Sequence, residues 1–248
     1  GREALLAALL AQIQDPHVRL ITLTGPGGVG KTRLAQELAR LSRNQFLDSV
    51  VWVSLAGIAD AALVDTEIAQ QLQVKANTSG TALVDRLIAV LAARATLLIL
   101  DNFEQVLEAA PVIAALLQGA ERLKVIVTSR AVLNLYGEHQ VRVPPLELPN
   151  LHQFDTPEDL VRHAAVALFV ARSQTVRRDF ALTDANARAV AEICIRLDGL
   201  PLALELAAAR GRLFSPSALL QRLDQPLSLL DGGAVNATAR QRTLRATI

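Results

Sequence analysis

The sequence predicts an α/β fold in which a parallel sheet is flanked by helices, followed by a small all-α helical bundle. Three observations lead there. A β-branched apolar run over residues 18–24 passes through a glycine-rich turn into a helical pattern. A continuous apolar run at 96–100 and another buried strand at 123–127 then alternate with helical stretches, as expected of a parallel sheet covered on both faces and joined by right-handed crossovers. Past residue 155 strand signals stop and only helical periodicity remains.

The elements follow in order. Leu5, Leu6, Leu9, Leu10 and Ile13 have helical spacing and give an opening amphipathic helix that ends before Asp15-Pro16. A strand at 18–24 and a helix at 31–42 bracket the glycine-rich turn, and 49–54 is a second strand in which Trp52 reads as core packing. Helices at 61–72 and 81–93 are separated by the polar turn Asn77-Thr78-Ser79-Gly80. Strand 96–100 ends in Asp101, a helix over 104–118 returns to strand 123–127, and that strand ends in Thr128-Ser129-Arg130. A last short strand at 140–143 precedes Pro144-Pro145.

Thr156-Pro157-Glu158-Asp159 supplies an N-cap, a proline at the first helical position and a capping-box acid, opening a helix over 157–176. Helices at 184–197, 201–213 and 216–223 follow, with caps at Thr183 and Ser215 and a stop at Gly199. The expected division is therefore an α/β domain over 1–150 and a helical bundle over 151–248.

Composition narrows the function. The chain has 248 residues, enough for a well-buried core, and its 25 basic and 24 acidic residues leave a net charge of +1. With one tryptophan, one tyrosine and six phenylalanines it has neither the basic stripe nor the stacking platform of a nucleic-acid binder, so no direct nucleic-acid contact is expected. No apolar stretch reaches a membrane span of about 18 residues, and no signal peptide is recognisable.

The single cysteine, Cys194, falls in the apolar pattern Val190, Ile193, Leu197 and reads as a packed core thiol, which suits a reducing, cytoplasmic setting. His17, His139, His152 and His163 lack metal-ligand spacing. A start at Gly1-Arg2-Glu3, the absence of methionine and the basic run Arg240-Gln241-Arg242-Thr243-Leu244-Arg245 at the end read as a fragment of a longer protein.

The glycine-rich turn is Gly25-Pro26-Gly27-Gly28-Val29-Gly30-Lys31-Thr32, the spacing G-x-x-x-x-G-K-[ST]. Two glycines, a lysine and a hydroxyl at fixed offsets arise by chance in about one in a hundred chains of this length. Glycines let successive N–H groups turn inward around phosphate oxygens at a helix N-terminus, where the dipole favours anions. Lys31 adds a point charge for the β- and γ-phosphates, and the Thr32 hydroxyl is placed to ligate Mg²⁺. The fold class is thus a P-loop NTPase. The binding set is Gly25, Gly27, Gly28, Val29, Gly30, Lys31, Thr32 and the following Arg33.

Leu97-Leu98-Ile99-Leu100-Asp101 has the hhhhD form of a Walker B strand. Alone it is equally a buried strand ending in a capping aspartate. Downstream of a phosphate loop it places Asp101 at the carboxyl edge of the sheet, where it can hold Mg²⁺ directly or through water. Asn102 occupies the next position, where many such ATPases place a glutamate, and an amide cannot act as a general base. Glu104 can substitute only if the strand end turns it back toward the γ-phosphate, so turnover is expected to be slow or absent, with Asp101 and Glu104 as the catalytic pair. Arg130 in isolation reads as a loop arginine in a solvated pair. At the edge of this sheet it can meet a terminal phosphate bidentately. Gly199-Leu200-Pro201-Leu202 reads as a C-cap glycine and a proline helix start, and its apolar corner also suits the face of an adenine.

Gly1-Arg2-Glu3, residues 25–32, Leu97 to Asp101 with Asn102-Phe103-Glu104, Thr128-Ser129-Arg130 and Gly199-Leu200-Pro201-Leu202 occur in the order and spacing of the NB-ARC domain. Over nearly its whole length the chain resembles the signal-transducing ATPases with numerous domains, in their bacterial branch, related to apoptosome ATPases and plant disease-resistance proteins. The resemblance implies ADP or ATP with Mg²⁺ as ligands, Arg2 helping to hold the adenine, Pro201 packing on the base or ribose, and Arg130 sensing the γ-phosphate. It also implies a winged helix beyond Ile248, sensor and effector domains elsewhere in the parent chain, and a switch that ADP closes and ATP opens for self-association. An active AAA-like motor ATPase or a small-molecule kinase is the alternative. Asn102 argues against the first, and no segment resembles the lid of the second. A nucleotide-free interaction scaffold is a third reading, which the intact phosphate loop disfavours.

Overall fold

The computed structural model describes residues 1–46, 49–74, 81–151 and 156–223. The turn expected at 77–80, His152 and the basic stretch at 240–245 lie outside the described residues. The chain divides into two compact units, a sheet unit of Arg2–Gly25 and Lys31–Val143, and a helical unit of Pro144–Ile248 with which Gly1 and Pro26–Gly30 group.

In the sheet unit five strands form one parallel sheet in the order β2-β3-β4-β1-β5. They are β1 (Leu20–Thr24), β2 (Val50–Ser54), β3 (Thr96–Asp101), β4 (Leu123–Ser129) and β5 (Glu138–Arg142). Every residue of β1 and β3 is buried, as their mainly apolar sequences require of strands covered on both faces. Each such Leu, Ile or Val side chain stabilises the sheet by about 1.5–3 kcal/mol. The edge strand β5, Glu138-His139-Gln140-Val141-Arg142, is mainly polar instead and stays largely exposed.

The helices of this unit are α1 (Glu3–Gln14), α2 (Lys31–Phe46), α3 (Val64–Gln71), α4 (Thr81–Ala92) and α5 (Ala110–Gly119). Lys31, Leu34, Ala35, Leu38, Ser42 and Phe46 form the buried stripe of α2, one residue per turn or nearly so. Trp52 is half-buried in β2. At the end of the sheet opposite the strand carboxyl termini, the Arg19 guanidinium donates to the Leu117 and Ala120 carbonyls, the second at 2.6 Å, and so satisfies the last turn of α5.

Two expected helices differ in this unit. The helix expected from 61 starts as a 3-10 turn, Ala61–Leu63, whose N-cap Asp60 accepts from the Ala62 N–H. The helix expected over 104–118 begins only at Ala110. Residues 103–109 form two 3-10 turns, Phe103–Gln105 and Leu107–Ala109, separated by Val106 at φ −132°. Phe103 and Val106 are both buried in the core, and seating them there interrupts the helical run until Pro111 restarts it at the first turn of α5.

The helical unit contains α6 (Pro157–Val161), α7 (Ala164–Val176), α8 (Asp184–Arg196), α9 (Pro201–Ala209) and α10 (Pro216–Leu223). The capping at Thr156 is as expected, since its hydroxyl accepts from the Asp159 N–H at 3.2 Å. The single helix expected over 157–176 is broken, however. His163 turns extended, the Ala165 N–H pairs with the Glu147 carbonyl at 3.1 Å, and the His163 ring lies 3.6 Å from the Glu147 carboxylate. A strand-like segment distant in sequence therefore takes an amide that a continuous helix would keep. The helix expected over 201–213 tightens into a 3-10 turn at Arg210–Arg212. Cys194 is buried, and burial pushes its thiol up to about 12. Among the described residues no helix is long and apolar enough to cross a membrane.

Candidate functional site

All five strands are parallel, so their carboxyl ends share one edge, and the registers there fix which residues meet. Thr24 of β1 pairs with Ser129 of β4, so Arg130 lies one position past the partner of Thr24, level with Gly25 at the entry to the glycine-rich turn. Leu100 of β3 pairs with Val127, which sets Thr128 beside Asp101. Polar side chains converge at that point.

Asp101 is 4% exposed and its carboxylate accepts three hydrogen bonds. The Thr32 hydroxyl donates to Oδ1 at 2.7 Å, the Thr128 hydroxyl donates to the same oxygen at 2.5 Å, and the Asn102 amide donates to Oδ2 at 2.9 Å. The Thr128 hydroxyl in turn accepts from the Asn102 backbone N–H at 3.0 Å. A buried carboxylate needs such donors, and together they fix its rotation. Lys31, also buried, donates through Nζ to the Gly25 carbonyl at 2.7 Å. Among the described residues the buried charged side chains are Lys31, Asp65 and Asp101, and two of the three stand here.

Asn102 sits at φ +66° and ψ +42°, left-handed backbone that asparagine tolerates better than other residues carrying a Cβ. The residue that looked like a missing catalytic acid thus has a conformational reason for its identity. The turn it makes carries the chain into Phe103–Gln105 and aims Glu104 at Arg130, whose Nε lies 3.6 Å from Oε1. The Glu104 side chain is 11% exposed and that of Arg130 45%.

Within the helical unit, Pro26–Gly30 carries the crown of the glycine-rich turn. Gly28 and Gly30 hold φ of +75° and +95°, and Gly25 before them +147°, conformations that a Cβ would strain. Gly27 is not among the positive-φ glycines. Val29 is wholly buried and its N–H reaches the Pro26 carbonyl at 3.4 Å. The Gly28 carbonyl accepts the Leu202 N–H at 3.2 Å. Pro201 opens α9 without an N–H, so Leu202 supplies one of the first amides of that helix, and it is committed to the turn. Gly199 at φ +63° makes this approach, with its carbonyl accepting the Leu146 N–H at 3.0 Å.

Of the remaining expected residues, Arg2 is half-buried at the start of α1, its carbonyl accepts the Leu6 N–H at 2.8 Å, and burial holds its guanidinium below the ordinary arginine value. Arg33 is exposed on α2. Sequence reasoning named Thr128 only as a strand end and missed its hydroxyl bridge. Its signal is a hydroxyl residue in the strand adjacent to the one ending in Asp101. The Leu202 amide left no signal, being a backbone group.

The donor set fits a phosphate and a divalent cation. The turn has the positive-φ glycine backbone from which anion-binding turns are built, the buried ammonium stands at its entry, and a hydroxyl and a carboxylate 2.7 Å apart are oxygen donors of the kind Mg²⁺ takes alongside phosphate oxygens.

Known proteins resemble this chain in sequence and in fold. The sequence matches the NB-ARC domain over residues 2–151. It is 38% identical over 244 residues to Rv0890c of Mycobacterium tuberculosis, named as an HTH-type transcriptional regulator, covering 98% of this chain and 25% of that protein. The chain thus spans about a quarter of that relative's length. In fold it resembles the STAND protein with a tetratricopeptide repeat sensor PH0952 from Pyrococcus horikoshii, at a TM-score of 0.56 and 17% identity over 92% of this chain and 32% of that one. It also resembles a chain of Drosophila ORC bound to DNA, at a TM-score of 0.62 and 16% identity over 91% of this chain and 66% of that one. The chain belongs to the NB-ARC domain family.

Proposed function

We propose that this chain is an adenine-nucleotide switch within a larger regulatory protein, holding ADP or ATP with Mg²⁺ and turning ATP over slowly. The observation that carries the reading is the Thr32–Asp101 hydrogen bond, which joins the first turn after the glycine-rich loop to the end of β3. In this reading the amides of residues 25–30 and the Lys31 ammonium hold the phosphates. Thr32 and Asp101 hold Mg²⁺, which supplies charge neutralisation at the phosphate oxygens when bound. Arg130 meets the γ-phosphate, and Arg2 and Pro201 contact the adenosine.

Slow turnover follows from the residues beside Asp101. The Asn102 amide donates to Asp101 and Glu104 faces Arg130, so neither residue next to the end of β3 is placed as a base to activate water. A switch needs only differential affinity of the nucleotide for two conformations, which slow hydrolysis preserves long enough to act on. Rv0890c is named as an HTH-type regulator, which supports an output through other domains of the parent protein, and ATP-dependent self-association is part of the same proposal.

Calorimetry with ADP and ATP, with and without Mg²⁺, tests it. Binding is expected in the wild type and lost in Lys31→Ala, with phosphate release well below one per second. Equal binding in that variant overturns the assignment of the loop, and turnover at typical enzyme rates overturns the switch in favour of a motor ATPase.

A further inference from the structure

The Glu104–Arg130 pair unites two residues to which sequence reasoning gives separate tasks. Three observations bear on it. The left-handed turn at Asn102 directs Glu104 across to the end of β4, where Oε1 lies 3.6 Å from Arg130 Nε. Glu104 is the recessed member at 11% exposed, whereas Arg130 at 45% is the more accessible one. The strand register sets the Arg130 backbone one position past the partner of Thr24, level with the start of the phosphate-binding turn.

We infer that Glu104 is a specificity-determining residue for the nucleotide, because it is the anion with which a γ-phosphate must compete for Arg130. The inference rests on the nucleotide site proposed above and concerns its preference between tri- and diphosphate. A carboxylate and a phosphate both attract the guanidinium, so a contact that draws it toward Glu104 opposes one that draws it toward a γ-phosphate. ADP leaves the pair undisturbed. A triphosphate has to draw Arg130 away, and part of its γ-phosphate interaction offsets the broken pair. Two consequences follow at the same atoms. The preference for ATP over ADP is lower than the arginine alone would provide, and the Glu104 carboxylate is released only when a γ-phosphate is present.

The test is the ratio of dissociation constants for ADP and a non-hydrolysable ATP analogue, measured by calorimetry with Mg²⁺ on the folded chain. Because the pair is partly exposed, Glu104→Gln is expected to tighten the triphosphate about three- to fivefold while leaving ADP within about twofold. Glu104→Asp, which keeps the charge, is expected to return toward the wild-type ratio. Arg130→Gln weakens the triphosphate alone, and in the double variant Glu104→Gln with Arg130→Gln the gain disappears. An unchanged ratio in Glu104→Gln, or a gain that survives in the double variant, overturns the inference while ADP binding keeps the site itself intact. Loss of both nucleotides from the wild type overturns the site as well.

Discussion

Thr32 Oγ1 and Asp101 Oδ1, 69 positions apart in sequence, lie 2.7 Å apart and tie the start of α2 to the end of β3. Asp101 Oδ1 accepts from Thr128 as well, so two hydroxyls from different elements converge on one buried oxygen. The carboxylate is therefore oriented by its neighbours before any ligand arrives, and its neighbours are where substitutions should be felt.

Thr128→Val keeps the shape of the side chain and removes the hydroxyl that donates to Asp101 and accepts from the Asn102 N–H. Leaving a buried amide and a carboxylate oxygen short of a partner should lower stability by about 1–3 kcal/mol, read as a shift in the urea midpoint. Mg²⁺-dependent nucleotide affinity should fall with it. A variant as stable as the wild type would mean that the bridge contributes nothing.

Substitutions at Asn102 separate backbone from side chain. Asn102→Ala loses both the tolerance of φ +66° and the amide donated to Asp101, and should cost about 1 kcal/mol or more for the backbone alone. Asn102→Gly relieves the backbone but not the lost donor, so thermal melts should place it between alanine and the wild type. The reverse order would show that conformation is not what selects asparagine here.

At Gly199 a Cβ would run into the Leu146 carbonyl at a backbone φ of +63°. Gly199→Ala should destabilise by more than about 1 kcal/mol, visible as an earlier denaturant transition. Gly211 has open space around it, so Gly211→Ala serves as the comparison and should change little.

Cys194 gives a pH prediction. Its folded thiol is pushed up to about 12 by burial, above the ordinary value of 9.0. The unfolded chain therefore releases this proton first as pH rises, and the stability linked to it is complete below pH 9.0 and declines from there toward about 12. Alkylation at pH 8 should be slow in the native protein and fast in denaturant. Rapid native labelling would contradict the burial.

Much of this was legible in the sequence, and the failures have specific causes. Short, mainly apolar runs of strand length marked β1 and β3, whose residues are buried on both faces with Thr22, Thr24, Thr96 and Asp101 among them. Caps at Thr156 and Ser215 were readable because a cap acts within three residues. The break at His163 depends on Glu147, a partner no local pattern reveals. The delayed start of α5 depends on Phe103 and Val106 seeking the core. At the site, residue types were readable and their mutual aim was not: Asn102 was taken for an absent base, yet its left-handed backbone is what points Glu104 at Arg130.

Asp101, Asn102 and Thr128 belong to neighbouring strands, or to the residue just beyond, in a sheet whose central members are buried on both sides. Such a platform gives little ground. For the proposed switch, this assigns rearrangement to loop peptides and exposed side chains rather than to the buried strands that carry Asp101 and Thr128.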